Sequence, residues 1–247
     1  RSGDAHQEPA RAALPVRRLL RQGPGDPPLA RPPPGGAGAH QPRPVRGHGG
    51  RAGSVGGQRR ADQHRHKISL IDDPNRRKLL EWAFHLYAAC ALPHLADFPH
   101  ALIHADVNDE NILLQSGRIT GLLDFGDCIY NPVICELAIT LAYIMLDQTN
   151  PLQVGAELVA GYHAIHPRSI PELSVLIPLV CGRLATTLTI AAERRQIDPN
   201  HPNWFVTEER AWVLLEQLSL VDPSEAASIL ASGTGIFPRY DPGTSPE

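Results

Sequence analysis

Hydrophobic positions divide this chain into three unlike stretches. From Asp73-Pro74, apolar residues recur at helical spacing through Leu79, Ala83, Leu86, Tyr87 and Cys90. An aspartate that can cap the helix, a proline at its first position and Pro93 just past its end bound that helix. Three short apolar runs follow, Ala101-Leu102-Ile103, Ile112-Leu113-Leu114 and Ile119 to Leu123. Each has the length of a strand, and Ser116-Gly117 supplies a tight turn between the last two. From Val133 onward the pattern predicts only helices: Val133–Leu146, apolar nearly all round, then Pro151–His163 and Pro171 to Arg195 with a break at Pro178. Trp204–Leu218 and Asp222–Leu230 complete the series. The predicted fold is mostly α with a small β-hairpin set between one helix and a group of helices.

Residues 1–66 show no such pattern. They hold 22 of the chain's 45 Gly and Pro residues and no Ile, Phe, Tyr, Trp, Met or Cys. A segment of that composition does not bury enough apolar surface to offset its chain entropy. It carries 12 Arg, no Lys and 4 acidic residues, a balance of +8, against −11 for residues 67–247. Two readings fit: a disordered basic arm, or GC-rich coding sequence read out of frame. The arm lacks the interleaved aromatics that stack on bases, so nucleic acid is not an expected partner. The expected division is 1–66 as this Arg/Gly/Pro-rich segment, 67–232 as the folded unit and 233–247 as a flexible tail. Cys90, Cys128, Cys135 and Cys181 show no CxxC spacing and read as reduced thiols. The longest apolar run, Leu137 to Leu146, is too short to span a bilayer. A soluble cytoplasmic protein with no membrane partner is the expectation.

Chemistry concentrates between the strands. Ile103-His104-Ala105-Asp106-Val107-Asn108-Asp109-Glu110-Asn111 reads as His-x-Asp-x-x-x-x-Asn, and Leu123-Asp124-Phe125-Gly126-Asp127 carries Asp-Phe-Gly 13 residues after Asn111. Phosphoryl transfer from a nucleotide needs these groups. Asp106, in the loop after a strand, can take the proton of an attacking hydroxyl as catalytic base. Asn111 and Asp124 offer the hard oxygens that Mg2+ prefers. Asp127 is open to two roles, a second magnesium ligand or a cap on the Val133 helix. His104 reads as a structural residue that fixes its loop through backbone hydrogen bonds, and Glu136 as a buttress from the buried helix. Asp124-Phe125-Gly126 runs into the Val133 helix with no long activation segment and no Ala-Pro-Glu anchor, which favours a small-molecule acceptor over a protein one.

These motifs, with Gly121-Leu122-Leu123 and Cys135-Glu136-Leu137-Ala138-Ile139, resemble the aminoglycoside phosphotransferase family, of protein-kinase-like fold. Within it the chain is most similar to the hydroxylysine kinase group, over roughly residues 67–230. The resemblance implies Asp106 as base, Asn111 and Asp124 as magnesium ligands, and Mg2+ with ATP or GTP as cofactor. It implies a small cationic amino-alcohol acceptor, hydroxylysine-like or aminoglycoside-like, and a relationship by fusion or association to class III aminotransferases. The sequence departs from the family in two ways. Ala105 stands where the family usually has Gly, which costs energy if that residue needs a positive φ. No Gly-rich loop on a strand and no Val-Ala-x-Lys strand precedes Lys67, so a C-lobe with its N-lobe missing is the expectation. An inactive kinase-like fragment acting as a binding module is the alternative.

Overall fold

A computed structural model describes residues 61, 63–201 and 204–236. The expectations for residues 1–60 and 237–247 lie outside these. The described residues reach a few positions ahead of the expected boundary at Lys67. Ala61 is buried, and a 3₁₀ turn spans Arg65–Leu70. It is held to the body by Ile68, whose side chain is buried in the core, and by Lys67, which pairs with Glu193 at 2.6 Å. Within the expected tail, the described residues 233–236 are tied to the body. Thr234 hydrogen-bonds the Ala231 carbonyl and Ile236 packs against the core.

Helix α1 spans Pro74–Cys90, and Asp73 caps it by accepting from the Asn75 and Arg76 amides. A second 3₁₀ turn, Leu92–Asp97, leads into strand β1, His100–Ile103. Strands β2, Ile112–Gln115, and β3, Arg118–Leu122, form the expected hairpin. At its turn Ser116 and Gly117 both take positive φ, 51° and 77°, the geometry that matches strand twist.

One strand escaped the sequence reading. β4, Ile129–Pro132, pairs antiparallel with β1, so among the described residues the strands form two separate two-stranded sheets rather than one hairpin. Only four residues long and ending in proline, β4 has no alternation that marks it as a strand. Its partner lies about thirty residues earlier, and pairing with it brings Asp-Phe-Gly beside the His104 loop.

The remaining helices are α2, Ile134–Ile144; α3, Pro151–Ile165; α4, Ile170–Ser174; α5, Leu176–Ile197; α6, Glu208–Ser219; and α7, Pro223–Ala231. The predicted long helix breaks at Val175, not at Pro178. The proline explains the shift. Its ring excludes the carbonyl four residues before it, that of Ser174, while its missing N–H costs nothing in a helix's first turn. The last long helix also starts later than Trp204: residues 204–207 form turns, and Glu208 and Glu209 occupy the first helical turn.

Helix α5 is the axis of the molecule. It packs against α1, α2, α6, α7 and the first 3₁₀ turn, with fourteen of its residues buried. With α4 it forms a stretch long and apolar enough to cross a membrane by length and composition, but an apolar 18-residue part of it is 83% buried within the fold. Gly182 is where α1 comes closest. A Cβ there would sit 3.0 Å from the Tyr87 ring. Trp212 on α6, Tyr87 and Phe84 on α1, and Leu137 and Leu141 on α2 are among the largest fully buried side chains.

Candidate active site

The site is built where β1 ends, around the half-buried carboxylate of Asp106. β1 delivers the chain to His104, and Ala105 then takes φ 67°, in the left-handed region. An alanine there is strained by roughly 1–2 kcal/mol, so something must hold it. Glu136 does. Its Oε2 accepts from the His104 amide at 2.5 Å and from the Ala105 amide at 3.1 Å. The carboxylate projects from the first turn of α2, so a buried helix grips both amides of the bend.

His104 ties the two motifs together. Its Nε2 donates to the Leu123 carbonyl at 2.7 Å, and its Nδ1 accepts from the Asp106 amide at 3.3 Å. Those partners require the neutral tautomer protonated at Nε2. The ring also meets Phe125 edge-on, with centroids 5.0 Å apart. The imidazole thus spans from the Asp106 loop to the residue preceding Asp124.

Asp106 is held from two sides. Oδ2 accepts from Asn108 Nδ2 at 3.0 Å and Asn111 Nδ2 at 3.2 Å. Oδ1 accepts from the Tyr143 hydroxyl at 3.2 Å and from the Arg183 guanidinium at 3.0 Å. The same guanidinium donates to the Tyr143 oxygen at 2.9 Å, which leaves the tyrosine proton directed at the carboxylate. Burial raises the Tyr143 pKa, the Arg183 charge opposes that rise and the Asp106 charge adds to it. The phenol therefore stays protonated, and a donor, across the neutral range.

Tyr143 and Arg183 were missed in the sequence. They lie 37 and 77 residues beyond Asp106, on α2 and α5. A signal for Arg183 existed: it is the one charge in the apolar run from Leu176 to Ala192.

Asn111 closes the loop from the other end. Its Nδ2 donates to the Asp106 carbonyl at 3.0 Å as well as to the carboxylate, which turns the amide oxygen away from Asp106. Its backbone carbonyl accepts from the Leu123 amide at 2.8 Å, one step beyond the Ile112–Leu122 pair that ends the hairpin. Asn111 and Asp124 are thereby held at the same end of the hairpin. Asp124 has φ 56°, and its Oδ1 accepts from the Gly126 amide at 3.3 Å. It is exposed. Asp127 is also exposed, in the 3₁₀ turn Phe125–Asp127. No side chain caps the start of α2, so the capping role considered for Asp127 is absent.

Among the described residues no three His, Cys, Asp or Glu side chains gather as a metal-binding group. The pair Asn111 and Asp124 nevertheless suits magnesium. That ion commonly takes one or two protein oxygens and completes its octahedron with water and phosphate oxygens. Asn111, its nitrogen engaged with Asp106, presents an oxygen; Asp124, exposed, presents a carboxylate.

Comparison with known proteins gives the family and its relatives. The model of the phosphotransferase enzyme family matches residues 27–174, beginning forty residues ahead of Lys67. Hydroxylysine kinase of Mus musculus is 30% identical over 161 residues, covering 61% of this chain and 43% of that protein. Hydroxylysine kinase of Bos taurus is 31% identical with the same coverage. Homoserine kinase of Gluconobacter oxydans is 34% identical over 93 residues, 37% of this chain and 29% of that protein. The chain thus spans about two fifths of the length of the hydroxylysine kinases it matches.

Proposed function

The chain belongs to the phosphotransferase enzyme family, and from that premise we propose that it transfers the γ-phosphate of ATP or GTP to the hydroxyl of a small amino alcohol. The observation that carries this reading is the Asp106 carboxylate. It is fixed by four side chains from three parts of the chain, beside an Asn111–Asp124 pair suited to magnesium.

Each residue has a role in that chemistry. Asp106 accepts the proton of the acceptor hydroxyl and orients its oxygen for attack. Arg183 and Tyr143 hold Asp106 in one orientation, and Asn111 couples it to the metal-binding end of the hairpin. Asn111 and Asp124 would hold Mg2+, with Asp127 as a further candidate ligand. When bound, the ion neutralises charge on the nucleotide phosphates. His104 and Glu136 maintain the strained bend that presents Asp106. The acceptor class follows from the relatives, named for hydroxylysine and homoserine, both amino acids with a side-chain hydroxyl. Exposed Asp109 and Glu110 on the loop crest suit an acceptor that also carries positive charge.

A second reading is a kinase-like module that binds without turnover. Transfer of labelled γ-phosphate to hydroxylysine, homoserine and an aminoglycoside separates the two readings. Under the first, Asp106→Asn lowers the rate on the order of 10²–10⁴-fold while leaving magnesium–nucleotide binding intact. Undiminished transfer by Asp106→Asn would remove Asp106 from the chemistry. No transfer by the wild type, with ligand binding retained, would favour the binding module.

A further inference from the structure

The two oxygens of Asp106 are held by different parts of the molecule. Oδ1 takes its donors from the helices, Tyr143 on α2 and Arg183 on α5. Oδ2 takes its donors from the loop, Asn108 and Asn111. The last torsion of an aspartate is soft, so donors on Oδ1 alone leave the carboxylate plane free to swing about that oxygen. The plane is fixed only when Oδ2 is held as well.

Asn108 contributes to this with both ends of one amide. Its Nδ2 donates to Asp106 Oδ2 at 3.0 Å. Its Oδ1 accepts from the Glu110 amide at 2.9 Å and from the Asn111 amide at 3.1 Å. The reverse orientation would set the amide oxygen against a carboxylate and the NH2 against two N–H groups, so the network fixes which end is which. The bond to Asn111 matters twice. It places the residue whose own Nδ2 donates to Asp106 Oδ2 at 3.2 Å and to the Asp106 carbonyl at 3.0 Å. The two donors on Oδ2 are therefore tied together through Asn108. Its side chain is half-buried, whereas its neighbours Asp109 and Glu110 are exposed.

We infer that Asn108 is a positioning residue for phosphoryl transfer: its amide sets the plane of the Asp106 carboxylate, directly and through Asn111. This rests on the reading of Asp106 as the base that meets the acceptor hydroxyl. The role needs a donor and an acceptor on one short side chain. Aspartate supplies the acceptor and folds the same turn, because Asn and Asp side chains both accept from the amide two residues on. It lacks the donor, however, and sets a second carboxylate against Asp106. A residue that merely folded the turn would tolerate aspartate. A residue that positions Asp106 would not.

Asn108→Ala and Asn108→Asp, each in the full chain, separate the two roles. Positioning predicts that kcat for transfer to hydroxylysine or homoserine falls about tenfold in Asn108→Ala, the loss of one hydrogen bond to a charged group, and further in Asn108→Asp. A turn-folding role alone predicts that Asn108→Asp matches wild type and only Asn108→Ala falls. Melting temperatures at neutral pH give a readout without turnover. They should fall in the same order, wild type, then Asn108→Ala, then Asn108→Asp. With Asp106→Asn added to each variant, the order of the last two should reverse, because an amide NH2 then meets the new carboxylate. Asp109 and Glu110 are unchanged in that pair, so a reversal also removes their repulsion as the cause. Asn108→Asp equal to wild type in kcat or melting temperature would overturn the inference. So would Asn108→Ala equal to wild type, or an order that does not reverse with Asp106→Asn. If Asn108→Asp does not fold, recovery of folding by Asp106→Asn supports the inference and absence of recovery overturns it. Absence of transfer by the wild type would count against the transfer reading alone, because the melting temperatures still decide whether Asn108 holds Asp106.

Discussion

The helical body and the strand layer of this molecule are built on opposite terms. In the body, α1, α2, α5 and α6 bury nearly every large apolar side chain, with Trp212, Tyr87 and Phe84 at 1% exposure or less. In the strand layer several large apolar side chains face outward, Leu102 71% exposed, Ile119 58%, Phe125 61% and Tyr130 66%, while Ile103 turns into the core. Yet the strand layer carries the candidate chemistry, and the body carries almost none of it. What crosses between them is a few polar side chains. Glu136 and Tyr143 reach from α2 and Arg183 from α5, and each ends on the loop from His104 to Asp106. Stability and chemistry are therefore separable here, except at those three residues.

Substitutions in the two regions should show this contrast. Trp212→Ala removes a fully buried indole and should cost about 3–5 kcal/mol, whereas Ile119→Ser on the hairpin should change stability by about 0.5 kcal/mol or less. Urea unfolding of the two variants measures both, and a comparable loss in Ile119→Ser would show that the hairpin is part of the body. Arg183→Met tests the crossing residues. It removes a charge-assisted hydrogen bond from Asp106, worth about 1.5–3 kcal/mol, so phosphoryl transfer should fall on the order of tenfold to a hundredfold. Its melting temperature should move much less than that of Trp212→Ala. A large fall in melting temperature with an unchanged rate per folded molecule would make Arg183 a residue of the core.

Ala105→Gly should act in the other direction. Glycine enters the left-handed region freely, so the variant should gain roughly 0.5–1 kcal/mol of stability. A shift of the urea midpoint to lower concentration would show that the Glu136 grip does not hold the bend as described.

The smallest effect concerns the edge of the body. The hydrogen bond from Lys67 holds the Glu193 carboxyl below its usual pKa. A carboxylate whose folded pKa is lowered adds stability above the ordinary glutamate range and loses it as pH falls through the lowered value. The difference in melting temperature between wild type and Lys67→Met should be small at neutral pH and vanish in acid. A difference that persists in acid would assign the effect to packing of the lysine stem.

The candidate chemistry was legible because it is local. His104, Asp106 and Asn111 lie in one loop, and Asp124 follows a hairpin whose turn, Ser116-Gly117, is written in the sequence. Asp73-Pro74 and Asp222-Pro223 marked helix starts for a similar reason: a cap acts within its own turn. Pro178 was legible as a helix breaker, but the position of the break depends on a carbonyl four residues upstream.

The amino-acid sequence by itself determined the order of the helices and of the first three strands, the loop that holds Asp106 and the family to which the chain belongs, since these depend on neighbours within a few residues or on motif spacing. Tertiary structure alone decided that β4 pairs with β1 and that Tyr143 and Arg183 close on Asp106. Those facts depend on contacts between residues tens of positions apart, where hydrophobic periodicity records which face of a helix is buried but not which side chain it meets.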